Sequence, residues 1–384
     1  MPLDVKATQE ITIRGGLCLI LGEGLVPADI ECSGGVINRI TRNPQKGAAG
    51  IDAAGCLVLP GIVDIHGDAF ERQIMPRPKT IFPLDIALCE TDRQLVANGI
   101  TTAYHGITVS WEPGLRSIGQ AMRIIDALDR LEPEFHSDNR LHIRWETFAI
   151  DETGEVEAMF RREKKPLLAF NDHTSMSLSG TRKDVKLQGS AERAMVDLET
   201  YRGLLSAIAE RQSEVAGAVK SMSAAARFHG VPMLSHDDHN VEMRGFYRNL
   251  GVAIAEFPLN KETLEEAAAN GDDIVLGSPN VVRGGSHNGA IGAEDAVRRE
   301  MCSILASDYY YPAPLAAALA LVQHNVLPLE RAWELVSGAP ARACGLTDRG
   351  YIAEGMRADL IVLPELRRRP SAVLSNGRLV YSAP

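Results

Sequence analysis

His66 and Asp68 stand two residues apart at the end of an apolar, β-branched run, "VLPGIVDIHGDAF", with Gly67 between them. An imidazole and a carboxylate so spaced at a strand end can point the same way, and a glycine between them lets other groups approach closely. That geometry suits a metal ion, although a strand-end turn uses the same residues, and one His-x-Asp among 10 histidines is a weak signal by itself. More ligands must come from elsewhere in the chain. Glu146 in "LHIRWETF", His173 after Asn171-Asp172, His236 in "SHDDH", Glu256 in "AEFP" and Asp308 in "ASD" each lie where an apolar run gives way to polar residues.

The elements that must position these groups follow from the pattern of apolar runs. Strands are predicted near 59–65, 100–105, 141–148, 166–171, 231–236, 252–257, 273–277 and 302–307, with helical composition between them, as at 85–98, 114–130, 190–229 and 260–270. Strands alternating with helical crossovers over ~280 residues predict an α/β fold, a (β/α)8 TIM-type barrel, whose chemistry lies at the C-terminal strand ends. A doubly wound open sheet is the alternative, but its usual glycine-rich nucleotide fingerprint is absent. Residues up to 58 alternate short apolar runs with glycine turns, and "GYIAEGMRADLIVLPE" and "SAVLSNGRLVYS" repeat that character, the latter with an Asn376-Gly377 hairpin signal. The expected division is a small β domain from 1–58 with 345–384 and a barrel domain at 59–344.

Within the third predicted strand, period-two alternation puts His142, Arg144 and Glu146 on one face. A charged stripe inside a packed protein is costly unless each charge is paired or holds a metal. Glu146, nearest the active end, is the candidate ligand or metal bridge, while His142 and Arg144 can simply satisfy the interior. His66, Asp68, His173 and His236 join it as candidate ligands, with core packing the alternative for the histidines. Asp308 is a candidate ligand and the candidate general base for an attacking water, or else a turn cap before Tyr309. Glu256 and His105 are open between pocket and packing roles; His136, His229 and His324 read as structural. After strand seven, "SPNVVRGGSHNG" offers Arg283, Ser286, His287 and backbone N–H groups to an anion, with a plain glycine loop as the alternative. Arg77 and Lys79 bring two more cations near the first ligands, and Asp237 is assigned to the substrate.

Composition bounds the rest. The 384 residues carry 40 basic and 50 acidic groups, a net charge of -10, against the basic balance of a general nucleic-acid binder. The 6 cysteines form no Cys-x-x-Cys pair, and reduced thiols of a cytoplasm are the simpler reading. No secretion signal is evident and no apolar run reaches the ~20 residues of a membrane span. The expectation is a cytoplasmic enzyme without nucleic-acid or membrane partners, oligomeric state left open and a homo-oligomer included.

These motifs together, "LPGIVDIH", "SHDDH", "ASD" and the closing "GYIAEGMRADLIVL", resemble the amidohydrolase superfamily over nearly the whole chain. "HGDAFERQIMPRP", "EFP" and "PNVVRGGSHNG" resemble its branch that cleaves a ribose 5-triphosphate bearing a 1-phosphonate to the 5-phosphate and diphosphate. The resemblance implies that His66 and Asp68 replace the usual His-x-His pair and that Glu146, His173, His236 and Asp308 complete one or two sites for Zn²⁺, Mn²⁺ or Fe²⁺. No lysine ends strand four where the family's carboxylated lysine bridge would stand, and Glu146 is the better bridge candidate. Gly67, Ala69-Phe70 and His239 depart from the branch beside the metal site. Two other functions fit the same residues: hydrolysis of an amide, cyclic amide or amino-substituted ring, and a silent scaffold that has no need of stoichiometric metal.

Overall fold

A computed structural model of the chain describes residues 10–42, 50–178, 184–285, 292–365 and 368–383. Eight parallel strands form one sheet: β1 Ile62–Gly67, β2 Ile100–Val109, β3 Asp138–Glu146, β4 Leu167–Asn171, β5 Met233–His236, β6 Ile254–Glu256, β7 Asp273–Gly277 and β8 Ile304–Ala306. Each strand lies beside its neighbours in sequence. The first and last meet through a parallel bridge between Gly67 and Asp308, so the sheet is a nearly closed barrel. Every residue of β2 is buried, as a parallel strand covered on both faces requires.

Alternation along β3 sorts its side chains as the pattern predicted. Ile143 and Trp145 face outward into a core shared with the helix Ile118–Leu131, whose buried Ala121, Ile124, Ile125, Leu128 and Leu131 recur at helical spacing. Ser117 caps that helix by accepting the Gln120 N–H. Val63, Tyr104, Leu167, Leu234, Ile254, Val275 and Ile304 belong to a separate cluster contributed by seven barrel strands.

A second sheet joins both ends of the described chain, in the order Arg378–Ser382, Ala372–Ser375, Leu360–Pro364, Cys56–Pro60, Ile11–Ile20, Gly24–Ser33 and Val36–Arg42. The Asn376-Gly377 turn has positive φ at both residues, 50° and 71°, and links the last two strands as its sequence predicted.

The structure differs from the sequence reading in three places. The predicted strand 59–65 is two strands, because Gly61 donates its N–H to Asp359 and so ends Cys56–Pro60 in the terminal sheet before β1 starts in the barrel. An unbroken apolar run carries no mark of that change of sheet. The helical stretch 190–229 is divided among Asp184–Arg193, Leu198–Ala209 and Gln212–Phe228, with Asp197 capping the second. Ser278–Arg283, read as the start of a loop, is a short helix, with Pro279 in its first turn and Gly284 ending it at φ 72°.

Candidate metal centre

Three barrel strands hand over to left-handed residues at their C-terminal ends: Asp237 (φ 59°), Phe257 (φ 56°) and Asp308 (φ 56°). Such backbone is unfavourable for residues with a Cβ and persists only where neighbours impose it. Each of these N–H groups donates to the next strand: Asp237 to Glu256 at 2.9 Å, Phe257 to Val275 at 3.0 Å and Asp308 to His66 at 2.9 Å. Asp68 returns the bond across the barrel seam, donating to the Asp308 carbonyl at 2.9 Å. The Asp64 carboxylate accepts from the Ser307 N–H and hydroxyl at 2.9 and 2.5 Å, pinning β1 to β8 beside these residues. Gly67 fills the remaining space without a side chain, since a Cβ there would lie 2.9 Å from Asp64 Oδ2 and 3.1 Å from Ser307 Oγ.

Three histidines share one arrangement. His66 and His236 both bond through Nδ1 to the fully buried Glu256 carboxylate at 2.8 Å, and His173 bonds through Nδ1 to Glu146 at 2.5 Å. A carboxylate partner fixes Nδ1 as the protonated nitrogen and leaves the Nε2 lone pair for a metal. The His66 and His236 rings stack at 5.5 Å, and the Phe257 ring stands edge-on to both.

Among the described residues, potential ligand atoms gather in three groups, each within 4.8 Å: His66, Asp68 and Asp308; His173, His236 and Asp237; and His66, His142 and Glu256. The last is deepest, and with Glu256 already holding two imidazoles it serves as support for the other two. The donor chemistry of those two, imidazole with carboxylate, fits a divalent transition metal or zinc.

Electrostatics agree with dense buried charge. Burial and the nearby Asp68 carboxylate push Asp308 up to about 6. Burial opposes charge on Glu256, but the His66 and His142 rings beside it and its hydrogen bonds hold it well below the ordinary carboxylate range. Asp237 is likewise lowered against burial, by His236 and His173. Burial pulls the wholly enclosed His142 down to about 3, and its Nδ1 donates to the Ile65 carbonyl at 2.9 Å.

The sequence-predicted residues therefore divide. His66, Asp68, His173, His236 and Asp308 converge. Glu146, expected as ligand or bridge, stands behind His173 and takes part in none of the three groups; its other oxygen accepts from Thr174 Oγ1 at 3.3 Å. Asp237, assigned to substrate, joins His173 and His236 instead, because its left-handed backbone turns it back toward them. Arg77 and Lys79 lie on an exposed turn after the helix Phe70–Ile74. Arg283 ends its short helix with Nη1 3.3 Å from the Tyr309 hydroxyl, and Ser286 and His287 lie outside the described residues. His105 packs against Phe70 and bonds Asn139 at 2.6 Å, while His136 and His324 pair with Asp92 and Glu294.

Comparison with known proteins bears on this centre. Residues 316–381 match the Amidohydrolase family. The chain is 30% identical over 352 residues to the alpha-D-ribose 1-methylphosphonate 5-triphosphate diphosphatase of Escherichia coli, covering 90% of this chain and 93% of that one. The chain belongs to the amidohydrolase superfamily. This amidohydrolase is also 26% identical over 386 residues to an adenine deaminase of Methylobacterium nodulans, of whose length the match spans 59%. Among solved structures, a beta-aspartyl dipeptidase from Fervidobacterium islandicum superposes with a TM-score of 0.65 at 15% identity, covering 97% of each chain. A variant of atrazine chlorohydrolase from Arthrobacter aurescens, complexed with zinc and atraton, gives 0.64 at 14% over 97% of this chain and 95% of that one. Those two likenesses concern the fold. Among the described residues no helix is long and apolar enough to cross a membrane.

Sequence reasoning missed Arg72 and Tyr309 in this amidohydrolase and left the role of Glu256 open. Arg72 and Tyr309 extend the rim beside Asp308, with the Arg72 guanidinium 5.5 Å over the Tyr309 ring that Arg283 also meets. Glu256 is the shared partner of two histidines on other strands. Its position at a strand end, like the ligands, was the available signal; its partners, one of them 190 residues away, were not.

Proposed function

We propose that this amidohydrolase is a metal-dependent phosphoanhydride hydrolase that cleaves α-D-ribose 1-methylphosphonate 5-triphosphate, or a close analogue, to the 5-phosphate and diphosphate in phosphonate metabolism. The observation that carries the chemistry is the set of three histidines tied by Nδ1 to buried carboxylates at the mouth where Asp68, Asp237 and Asp308 meet. The substrate rests on the 30% likeness to the Escherichia coli enzyme along nearly its full length. Zn²⁺ is the proposed ion, with Mn²⁺ or Fe²⁺ as alternatives, one or two per chain. A bound divalent ion supplies Lewis-acid polarisation of phosphoryl oxygens and makes water a stronger acid.

The chain's own groups do the rest. His66, Asp68 and Asp308 would hold a first ion, and His173, His236 and Asp237 are the donors that a second would need, while Glu256 and Glu146 keep their histidines in the tautomer with Nε2 free. Asp308 accepts a proton from the attacking water. The water oxygen bonds to the phosphorus nearest the ribose as the bond to the bridging oxygen breaks, and diphosphate leaves. Arg283 and Arg72, meeting at Tyr309, hold that departing anion at the rim, with Arg77 and Lys79 on the exposed turn as further cations. Residues 1–58 with 345–384 are proposed as the small β domain and 59–344 as the catalytic one, acting in the cytoplasm without nucleic acid or membrane.

The test compares wild type with Asp308→Asn for metal content and for diphosphate release from the 1-phosphonate 5-triphosphate. Metal-dependent release that collapses in a variant still holding metal supports the reading. A full metal site with no release sinks the substrate assignment. The likeness to adenine deaminases favours a second reading, deamination of an amino-substituted ring, tested by ammonia release from adenine.

A further inference from the structure

Arg144 enters the centre from β3 with only 4% exposure. Its Nη2 lies 3.0 Å from His236 Nε2, and its Nη1 lies 3.4 Å from Asp68 Oδ2, so one guanidinium touches a member of each ligand group. Because His236 Nδ1 is bound to Glu256, the nitrogen facing Arg144 is the one with the lone pair, and the guanidinium N–H donates to it. A metal at His236 needs that same lone pair. A guanidinium keeps its charge in proteins and has no lone pair to offer a cation, so the two are exclusive.

The seat of this side chain is built into the barrel. Gly106 lies within β2, between β1 and β3, and a Cβ there would stand 3.1 Å from Arg144 Cδ, 3.6 Å from the Gly67 carbonyl oxygen and 3.8 Å from Asp68 Cβ. A glycine inside a strand marks such a close approach. Arg144 Nε, buried, has no hydrogen-bond partner among the described residues.

We propose that the pocket takes one tightly held divalent ion, at His66, Asp68 and Asp308, and that Arg144 is its second fixed positive charge. Arg144 closes the His173, His236 and Asp237 group to a second ion and binds a phosphoryl oxygen of the substrate. This rests on the metal-dependent reading above, and it assigns to a side chain what a second metal would otherwise do.

The experiment equilibrates wild type, Arg144→Lys and Arg144→Met with Zn²⁺, counts ions per chain by elemental analysis after removal of loose metal, and titrates the metal-free proteins with inorganic diphosphate. One ion is expected on wild type and Arg144→Lys, two on Arg144→Met, with diphosphate binding weakened about tenfold in Arg144→Met alone. Two ions of similar affinity on wild type overturn the inference while leaving the metal-dependent reading intact. An unchanged count or unchanged diphosphate binding in Arg144→Met also overturns it. A wild type that holds no ion overturns both. If Arg144→Met does not fold, the counts on wild type and Arg144→Lys still decide.

Discussion

Replacing Glu256 by glutamine conserves shape and volume and changes only what the side chain offers its two histidines. The native carboxylate, fully buried and held in its charged form, accepts from His66 Nδ1 and His236 Nδ1, both at 2.8 Å. An amide has one accepting oxygen and one donating nitrogen. Whichever way Glu256→Gln lies, one histidine faces a donor. That ring must lose its bond or move its proton from Nδ1 to Nε2, which removes the lone pair a metal needs. Loss of such a supporting partner typically weakens metal affinity 10–100-fold, or about 1.4–2.7 kcal/mol. A donor left facing a donor in the interior adds roughly 1–3 kcal/mol of lost fold stability.

Zn²⁺ affinity, measured by competition with a chromophoric chelator, and thermal unfolding of the metal-free protein read the two parts separately. Glu146→Gln is the internal contrast: one Glu146 oxygen meets His173 and the other meets the Thr174 hydroxyl, which can accept from the amide as readily as it donates. Metal affinity should therefore fall much less in Glu146→Gln than in Glu256→Gln. The opposite order would refute the reasoning and restore Glu146 as a ligand. Wild-type affinity in Glu256→Gln would do the same for the supporting role.

Three further outcomes follow from other groups. Asp138 is held below the ordinary carboxylate range, with burial opposed by Arg140, Arg349 and Lys164, and it bonds Arg349 at 2.7 Å in a nearly buried pair. Its stabilising effect is present above the unfolded value of ~3.9 and is lost as pH falls below it; Asp138→Asn should cost about 3 kcal/mol at pH 7, a difference that denaturant titrations should find shrinking below about pH 4. Gly67→Ala puts a methyl 2.9 Å from Asp64 Oδ2 and should cost roughly 1–3 kcal/mol in the same titration, with unaltered stability contradicting the close packing at the barrel seam. Arg283→Ala removes one charge-assisted donor from the rim, so the KM for the triphosphate should rise about tenfold with little change in kcat, and a kcat loss at constant KM would place Arg283 in the chemistry instead.

How much of this was legible follows from what local spacing encodes. Each of the eight barrel strands overlaps one predicted run, because a strand buried on both faces leaves a continuous apolar stretch that stops where the chain meets the pocket. His66, Glu146, His236 and Asp308 could be found for that reason. Their roles were less legible. Glu146 and Glu256 end neighbouring kinds of run, yet each acts as a partner to histidines on other segments, a pairing fixed by strand order around the barrel rather than by distance along the chain. The split at Gly61 was hidden because two strands in different sheets follow one another inside a single apolar run.

The stripe His142, Arg144, Glu146 shows why a correct pattern can still be read too blandly. Alternation placed all three inside the barrel, and an interior charge can be explained by pairing alone. In the fold, Asp68 lies 3.4 Å from the Arg144 guanidinium, whose charge also acts on Asp237 and Asp308, and that much buried negative charge is stable only if protons, imidazolium or cations balance it. Arg144 supplies one positive charge from the chain itself, in a seat that Gly106 leaves open. The number of metal ions the site holds is therefore a question about charge balance around Arg144, and the ion counts on wild type and Arg144→Met answer it.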